Sequence, residues 1–263
     1  MSEKLELWGV SDPNISAQLA LAAKLDLFKQ EAGLDVSCNF IESGTTMPSE
    51  VLKAEKKPFA FTQTPITALL LHEKGFRTKL VAPLADIAGT QEVIIREASG
   101  ISHPKDLEQK QIGMAQGAAV YIAVKNMAHD CDVDLDMVRF VHLLPHDQLA
   151  AFETGEIDVM ACWEPWTTKA QTMGGKFYFS GNHSEIPGME GNINWLINQS
   201  CLIVPDEHLE QHPEYVVAIL NVLRKATDMI NRNRKEVSKD LASFLGISRF
   251  EIMMAMQKNT YSM

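Results

Sequence analysis

A chain of 263 residues that is 46% hydrophobic and 22% charged has the length for two α/β units and the apolar content to bury a core, which argues against a disordered chain. Its 24 Lys and Arg stand against 34 Asp and Glu, a formal net charge of −10, which argues against nucleic acid as a partner, because phosphate backbones demand clustered cations. The one basic run, Arg232, Arg234 and Lys235, is short and reads as a solvated helix end.

The elements alternate between short apolar runs and helical stretches, the pattern of a mostly parallel α/β architecture. Leu5–Val10 reads as the first strand, followed by Ser11-Asp12-Pro13 and a helix from Ile15 to Ala32 that ends at Gly33. Val36–Ile41 is the second strand, closed by Glu42-Ser43-Gly44-Thr45-Thr46, and Met47–Lys56 is helical. A short third strand, Phe59–Thr62, leads to a helix opened by Pro65, and Leu80–Leu84 is the next strand.

Near Asp86–Gln91 the section changes, and Val93–Ile95 reads as a crossing strand. Strands at Ile112–Ala115, Val138–Leu143 and Val159–Cys162 alternate with helices opened by Gln116-Gly117-Ala118-Ala119, by Pro145 and by Trp163-Glu164-Pro165-Trp166. The last of these helices ends at Gly174-Gly175, and a Gly- and Asn-rich loop, Gly181–Asn194, is a candidate lid or hinge. Leu196–Val204 crosses back as a strand. Three helices follow: Pro213–Arg232, Lys235–Phe244 and Arg249–Asn259.

No segment approaches the roughly 18 apolar residues of a membrane span. Met1–Leu7 alternates charged and apolar residues, unlike a signal peptide, so the chain is expected either to be cytoplasmic or to have had a signal or anchor removed. The last helix gives way to Tyr261-Ser262-Met263 with no cap or turn signal, so that end is also expected to be a cut boundary. The four cysteines, Cys38, Cys131, Cys162 and Cys201, form no CxxC pair. They read as small buried hydrophobes, with one long-range disulfide left open.

In open α/β sheets, ligands bind beyond the carboxyl ends of the strands, where helix N-termini present free N–H groups. The residues there are Ser11-Asp12-Pro13, Ser43-Gly44-Thr45-Thr46, Gln63-Thr64, Asp86, Gln116-Gly117-Ala118-Ala119, His146 and Trp163-Glu164. Hydroxyls, amides, glycines and an aromatic pair suit hydrogen bonding and stacking; they do not pair a nucleophile with a base. Ser11, Thr45 and Thr64 are equally well placed as helix N-caps. Trp163 and Trp166 suit a core or an interface as well as a ligand face. Glu164 suits a ligand ammonium, or a latch onto backbone amides.

No GxSxG, HExxH, P-loop or GxGxxG motif occurs. His142 and His146 are separated by Pro145 and lack a third ligand, and they read as structural or surface histidines. Asp130, Asp132, Asp134 and Asp136 lack the glycine and closing glutamate of a calcium loop, so a solvated acidic turn is expected. No catalytic residue, metal or cofactor is assigned.

Several segments together resemble the type 2 periplasmic solute-binding proteins of the nitrate, sulfonate and taurine transport branch. They are Trp8-Gly9, the stretch Leu27-Phe28 to Ala32-Gly33-Leu34-Asp35-Val36, and Ile101-Ser102-His103-Pro104-Lys105-Asp106-Leu107 before Ile112-Gly113. The longest runs from Leu149-Ala150-Ala151-Phe152-Glu153-Thr154-Gly155-Glu156-Ile157-Asp158-Val159 into Trp163-Glu164-Pro165. The resemblance covers nearly the whole chain. It implies the two-lobed periplasmic-binding-protein type 2 fold, each lobe a mostly parallel sheet flanked by helices, with two crossing strands as hinge. The lobes would be 1–88 with 197–263, and 89–196.

The resemblance further implies a monomeric ABC-importer component that captures a sulfonate, a taurine-like or a related small organic molecule and hands it to the transporter's membrane subunits. It implies a periplasmic or extracytoplasmic location. By position the site would take Ser11, Ser43, Gly44, Gln63, Thr64, Gln116, Gly117, Ala118, Trp163 and Glu164, with Asp12, Thr45 and Asp86 beside them. Lys56-Lys57-Pro58-Phe59-Ala60-Phe61 departs from the family's glycine-aspartate step, and no arginine falls among the site residues, which weakens nitrate as the ligand. The alternatives are a sensing module of a larger signalling protein and, as a lesser one, a thiamine-pyrimidine enzyme, whose cysteine-rich motif is missing.

Overall fold

The computed structural model describes residues 4–263, so the first three residues of the Met1–Leu7 stretch lie outside the described residues. The chain divides into two compact units, one of the chain up to Asp86 with Gln199–Met263 and the other of Ile87–Asn198.

In the first unit, β1 (Leu5–Val10) is followed by α1 (Ala17–Lys24) and α2 (Leu27–Ala32). The single helix expected over Ile15–Ala32 is thus two. Asp26 takes a left-handed φ of 53°, which interrupts the helical path although the apolar pattern runs on. Next come β2 (Val36–Ile41), α3 (Met47–Lys53), β3 (Ala60–Gln63), α4 (Pro65–Glu73) and β4 (Thr78–Asp86).

The second unit contains β5 (Gln91–Arg96), β6 (Gln111–Met114), α5 (Val120–Asp130), β7 (Arg139–His142), α6 (Pro145–Thr154) and β8 (Val159–Trp163). After these come α7 (Trp166–Thr172), β9 (Gly175–Ser180) and the short β10 (His183–Ser184) and β11 (Gly191–Asn192). The chain returns to the first unit with β12 (Gln199–Pro205), α8 (Asp206–Gln211), α9 (Pro213–Arg232), α10 (Arg234–Leu245), α11 (Arg249–Lys258) and β13 (Thr260–Tyr261).

Both sheets follow one plan. The first is ordered β13-β4-β12-β3-β1-β2 and the second β11-β10-β9-β5-β8-β6-β7. In each, three parallel neighbours (β2-β1-β3 and β7-β6-β8) are joined to a fourth strand of the same direction, β4 or β9, through an inserted antiparallel strand, β12 or β5. Most strands of each sheet thus share one direction, as expected, with β12 and β13 in the first sheet and β5 and β10 in the second running against it. The crossing strands do not lie beside the sheets as connectors; they occupy interior positions and pair on both edges.

Residues 200–205 of β12 are all buried, as fits a strand covered on both faces. α9 buries Val216, Ile219, Leu223, Ala226 and Ile230, a stripe at alternating spacings of three and four, against α1 and α2. Each such Leu or Ile contributes on the order of 1.5–3 kcal/mol when taken out of water.

Three further expectations change. β9 was not foreseen, because Gly174-Gly175 reads as a helix stop with loop beyond it. The Gly181–Asn194 stretch holds β10 and β11, and Trp195, the residue after it, is tied within its own unit. Trp195 Nε1 donates to Asp130 Oδ2 at 2.8 Å, Asn126 Nδ2 donates to the Trp195 carbonyl at 2.7 Å, and Phe179 packs edge-on against the Trp195 ring. Arg234 is not a solvated helix end, since its guanidinium donates to the Met256 carbonyl and lies over the Tyr261 ring. The four cysteines are free thiols; Cys162 and Cys201 are buried, whereas Cys38 and Cys131 are only half-buried.

Candidate functional site

In the first unit, β2, β1 and β3 are parallel neighbours, so Ser11, Ser43-Gly44-Thr45 and Gln63-Thr64 all fall at one sheet edge. Ser11 N donates to the Ile41 carbonyl at 2.8 Å, which ties the first two strand ends together. The turn after β1 is built by buried polar groups. Asp12 Oδ1 accepts from Asn14 N and Ile15 N at 2.8 Å each, and Ser16 Oγ accepts from Val10 N at 2.8 Å and meets Thr62 Oγ1 at 2.7 Å. Asp12 is only 3% exposed, and its Oδ2 has no hydrogen bond among the described residues. Burial pushes its carboxyl up to about 6, against the pull of its two backbone hydrogen bonds.

Gln63 joins the second and third strand ends. Its Nε2 donates to the Gly44 carbonyl at 2.9 Å, and its Oε1 accepts from Thr64 N at 2.7 Å. Position 44 must be glycine for this approach, because a Cβ there would lie 2.7 Å from Gln63 Nε2. Gln63 is therefore committed to the scaffold, with its amide spent on backbone.

The hydroxyls of Ser43 and Thr45 meet at 3.0 Å. Thr64 sits at the N-cap of α4 but makes no side-chain cap bond; the cap position of α1 belongs to Ser16, and Thr45 lies inside a short 3₁₀ turn. The N-cap reading of Ser11, Thr45 and Thr64 is thereby corrected, and these hydroxyls are not used up at helix starts. Asp86 stands apart from this group. β12 separates β4 from β3, a spacing of about 10 Å, and Asp86 pairs with Gln199 and Thr260.

In the second unit, β6 and β8 are parallel neighbours and again end at one edge. Gln116 and Gly117 are exposed, and Gly117 has φ +76°, a conformation that side chains disfavour. Ala118 is buried, and its N–H closes a turn onto the Ala115 carbonyl at 3.2 Å. α5 then starts at Val120 with Ala119 at its cap and no side-chain cap bond; the amides of Tyr121 and Ile122 close turns onto the Ala118 and Ala119 carbonyls at 3.2 and 2.9 Å. That helix end carries partial positive charge.

Trp163 is buried at the end of β8. Glu164, fully buried before a cis Glu164–Pro165 bond, sends Oε1 to the Thr168 hydroxyl at 2.8 Å and Oε2 to Thr168 N at 3.1 Å. Through these bonds it caps the first turn of α7. Thr168 and the Ser16–Thr62 pair were missed from sequence. A Glu-x-x-x-Thr spacing at a helix start was the available signal for Thr168; nothing local signals the pairing of Ser16 with Thr62, which are 46 residues apart.

No Lys or Arg stands among these strand-end residues. Among the described residues no group of three or more His, Cys, Asp or Glu is placed to hold a metal ion. Burial raises the Cys38 and Cys201 thiols to about 12 and about 11, which keeps both protonated and poor as nucleophiles. The strand ends of the first sheet offer hydroxyls, and those of the second offer the exposed Gln116-Gly117 turn at the start of α5.

A family model described as NMT1/THI5 like matches residues 14–236. A Bacillus subtilis (strain 168) protein described as an aliphatic sulfonates-binding protein is 26% identical over 204 residues, covering 76% of this chain. The chain spans 57% of that relative's length. The crystal structure of the periplasmic aliphatic sulphonate binding protein SsuA from Escherichia coli superposes with a TM-score of 0.78 at 15% identity, over 100% of this chain and 82% of that one. The desulfurization enzyme DszB superposes with a TM-score of 0.65 at 16% identity, over 97% of this chain and 85% of that one. At such identities the structural likenesses speak for the fold alone.

Proposed function

The chain belongs to the NMT1/THI5-like family, and from that premise we propose that it is the solute-binding component of an ABC importer. It captures a small organic molecule, a sulfonate or a taurine-like solute, and passes it to the transporter's membrane subunits as a monomer outside the cytoplasm. The observation that carries this reading is the composition of the two strand-end edges. Ser11, Ser43, Thr45 and Thr64 bring hydroxyls to one, and the exposed Gln116-Gly117 turn with the positive end of the α5 dipole forms the other. Such groups bind an anionic oxygen cluster by hydrogen bonds and helix dipole without a cationic side chain.

Nothing at these edges pairs a nucleophile with a base, so we assign no catalysis. The extracytoplasmic location draws on the periplasmic protein that shares the fold. Among the described residues no helix is long and apolar enough to cross a membrane.

The test is a thermal-shift and calorimetric screen with ethanesulfonate, taurine, nitrate and an aminopyrimidine. A ligand at 100 times its Kd adds about 2.7 kcal/mol of stability. A clear shift with the sulfonates and none with the pyrimidine supports the reading. A flat response to both sulfonates defeats it.

A further inference from the structure

The turn that carries Ser11 is held at two points by residues from the far end of the chain. Asn259 Nδ2 donates to Asn14 Oδ1 at 3.1 Å, and the Tyr261 hydroxyl donates to the Pro13 carbonyl at 3.3 Å, across 245 and 248 residues of sequence. Asn259 and Tyr261 are 2% and 3% exposed, so these bonds are shielded from water. Burial pushes the Tyr261 hydroxyl up to about 12, which keeps it a donor.

The segment that brings them is itself anchored. Thr260 and Tyr261 pair with Asp86 and Ala85 of β4, and Ser262 N donates to the Leu84 carbonyl at 3.1 Å. Asn231 Nδ2 donates to the Tyr261 carbonyl at 3.0 Å, and the Arg234 guanidinium lies 5.4 Å from the Tyr261 ring centre. Four separate ties thus fix a strap whose two buried polar groups point at a single turn.

We propose that Asn259 and Tyr261 are positioning residues for ligand capture, holding the Ser11–Asn14 turn in the form that presents the Ser11 hydroxyl. This rests on the reading that Ser11 belongs to the ligand site. Within the turn, Asp12 holds Asn14 N and Ile15 N, and Ser16 holds Val10 N; its two ends are tied to neighbouring strands by Ser11 N on the Ile41 carbonyl and by Ser16 Oγ against Thr62 Oγ1. Those bonds hold the turn at its ends, whereas the strap bonds its middle, at Pro13 and Asn14. A binding group set on a turn needs such outside support to hold its geometry before the ligand arrives.

Tyr261→Phe removes only the hydroxyl and leaves the strand pairing and the ring over Arg234. Amide hydrogen exchange in the ligand-free protein is read at Asn14 and Ile15. Loss of one buried hydrogen bond should speed exchange at both by about three- to tenfold, with the amides of Leu202 and Ile203 unchanged. Calorimetry with ethanesulfonate should show affinity weakened by a similar factor, and no further weakening when Tyr261→Phe is added to Ser11→Ala. Asn259→Ala should repeat the pattern.

Unchanged exchange at Asn14 and Ile15 overturns the proposal. So does an equal loss of affinity with and without Ser11, which would make the strap a general stabiliser. Should ethanesulfonate fail to bind even the parent protein, the exchange result decides the strap alone, and only the transport reading falls.

Discussion

At the scale of single residues, Asp12 shows how burial turns a surface-type side chain into a scaffold. Its carboxyl sits at about 6 in the folded chain against an ordinary 3.8. The folded state therefore holds a proton that the unfolded state gives up, and stability falls as pH rises from about 4 to about 6. A shift of about two units corresponds to roughly 3 kcal/mol. Urea unfolding between pH 4 and pH 8 should show this decline, and Asp12→Asn, which keeps the Oδ1 acceptor, should flatten it. A parent protein with no such decline would place Asp12 in a wetter site.

Glu164 makes a second case. Both of its oxygens are used by Thr168, so Glu164→Ala leaves a buried amide and hydroxyl without partners. A loss of about 1–3 kcal/mol in urea unfolding is expected. The sequence put Glu164 at the right strand end but left its role open, because a carboxylate before a helix serves ligand, latch or cap equally well. Thr168, one turn later, supplies the capping partner.

At the scale of elements, apolar runs located most strands, and the amphipathic stripe of α9 was plain in the sequence. The alternation of strands and helices gave the direction of the parallel strands, but it did not show where in each sheet the crossing strands insert. β5 and β12 read as crossing strands, and their pairing on both edges places them inside the sheets. β9 was hidden by the Gly174-Gly175 pair before it.

The break between α1 and α2 was hidden for the opposite reason: the Ala- and Leu-rich pattern has no interruption, and one left-handed residue does the work. Asp26→Gly should be neutral to stabilising, whereas Asp26→Val should cost about 1–2 kcal/mol, measured by thermal unfolding. Equal effects of the two would mean that the backbone at position 26 is not left-handed in solution.

At the scale of the whole molecule, both sheets repeat one strand plan, yet the two units differ in how their sequence is drawn. The second is a single stretch, Ile87–Asn198, with its inserted strand β5 inside it. The first takes its inserted strand from beyond the second unit. A fragment of residues 87–198 should fold alone with dispersed amide resonances and cooperative unfolding. A fragment of residues 1–86 should not, because its third and fourth strands have nothing between them. Cooperative folding of the shorter fragment would refute this ordering. The strand-end candidates were legible because polar groups recur after each β-run; which of them are spent on scaffold, as Gln63 and Glu164 are, depended on contacts that no local pattern encodes.

The interior position of β12 also has a consequence for synthesis. On the ribosome, β3 and β4 emerge more than a hundred residues before the strand that must sit between them. At about 5–20 residues per second, that leaves their facing edges open for several seconds or more. During that interval the second unit can complete itself, while the first is a template for stray strand pairing. Nascent chains stalled between residues 90 and 190 should therefore be the ones that recruit holding chaperones, and release should follow once residue 205 clears the exit tunnel.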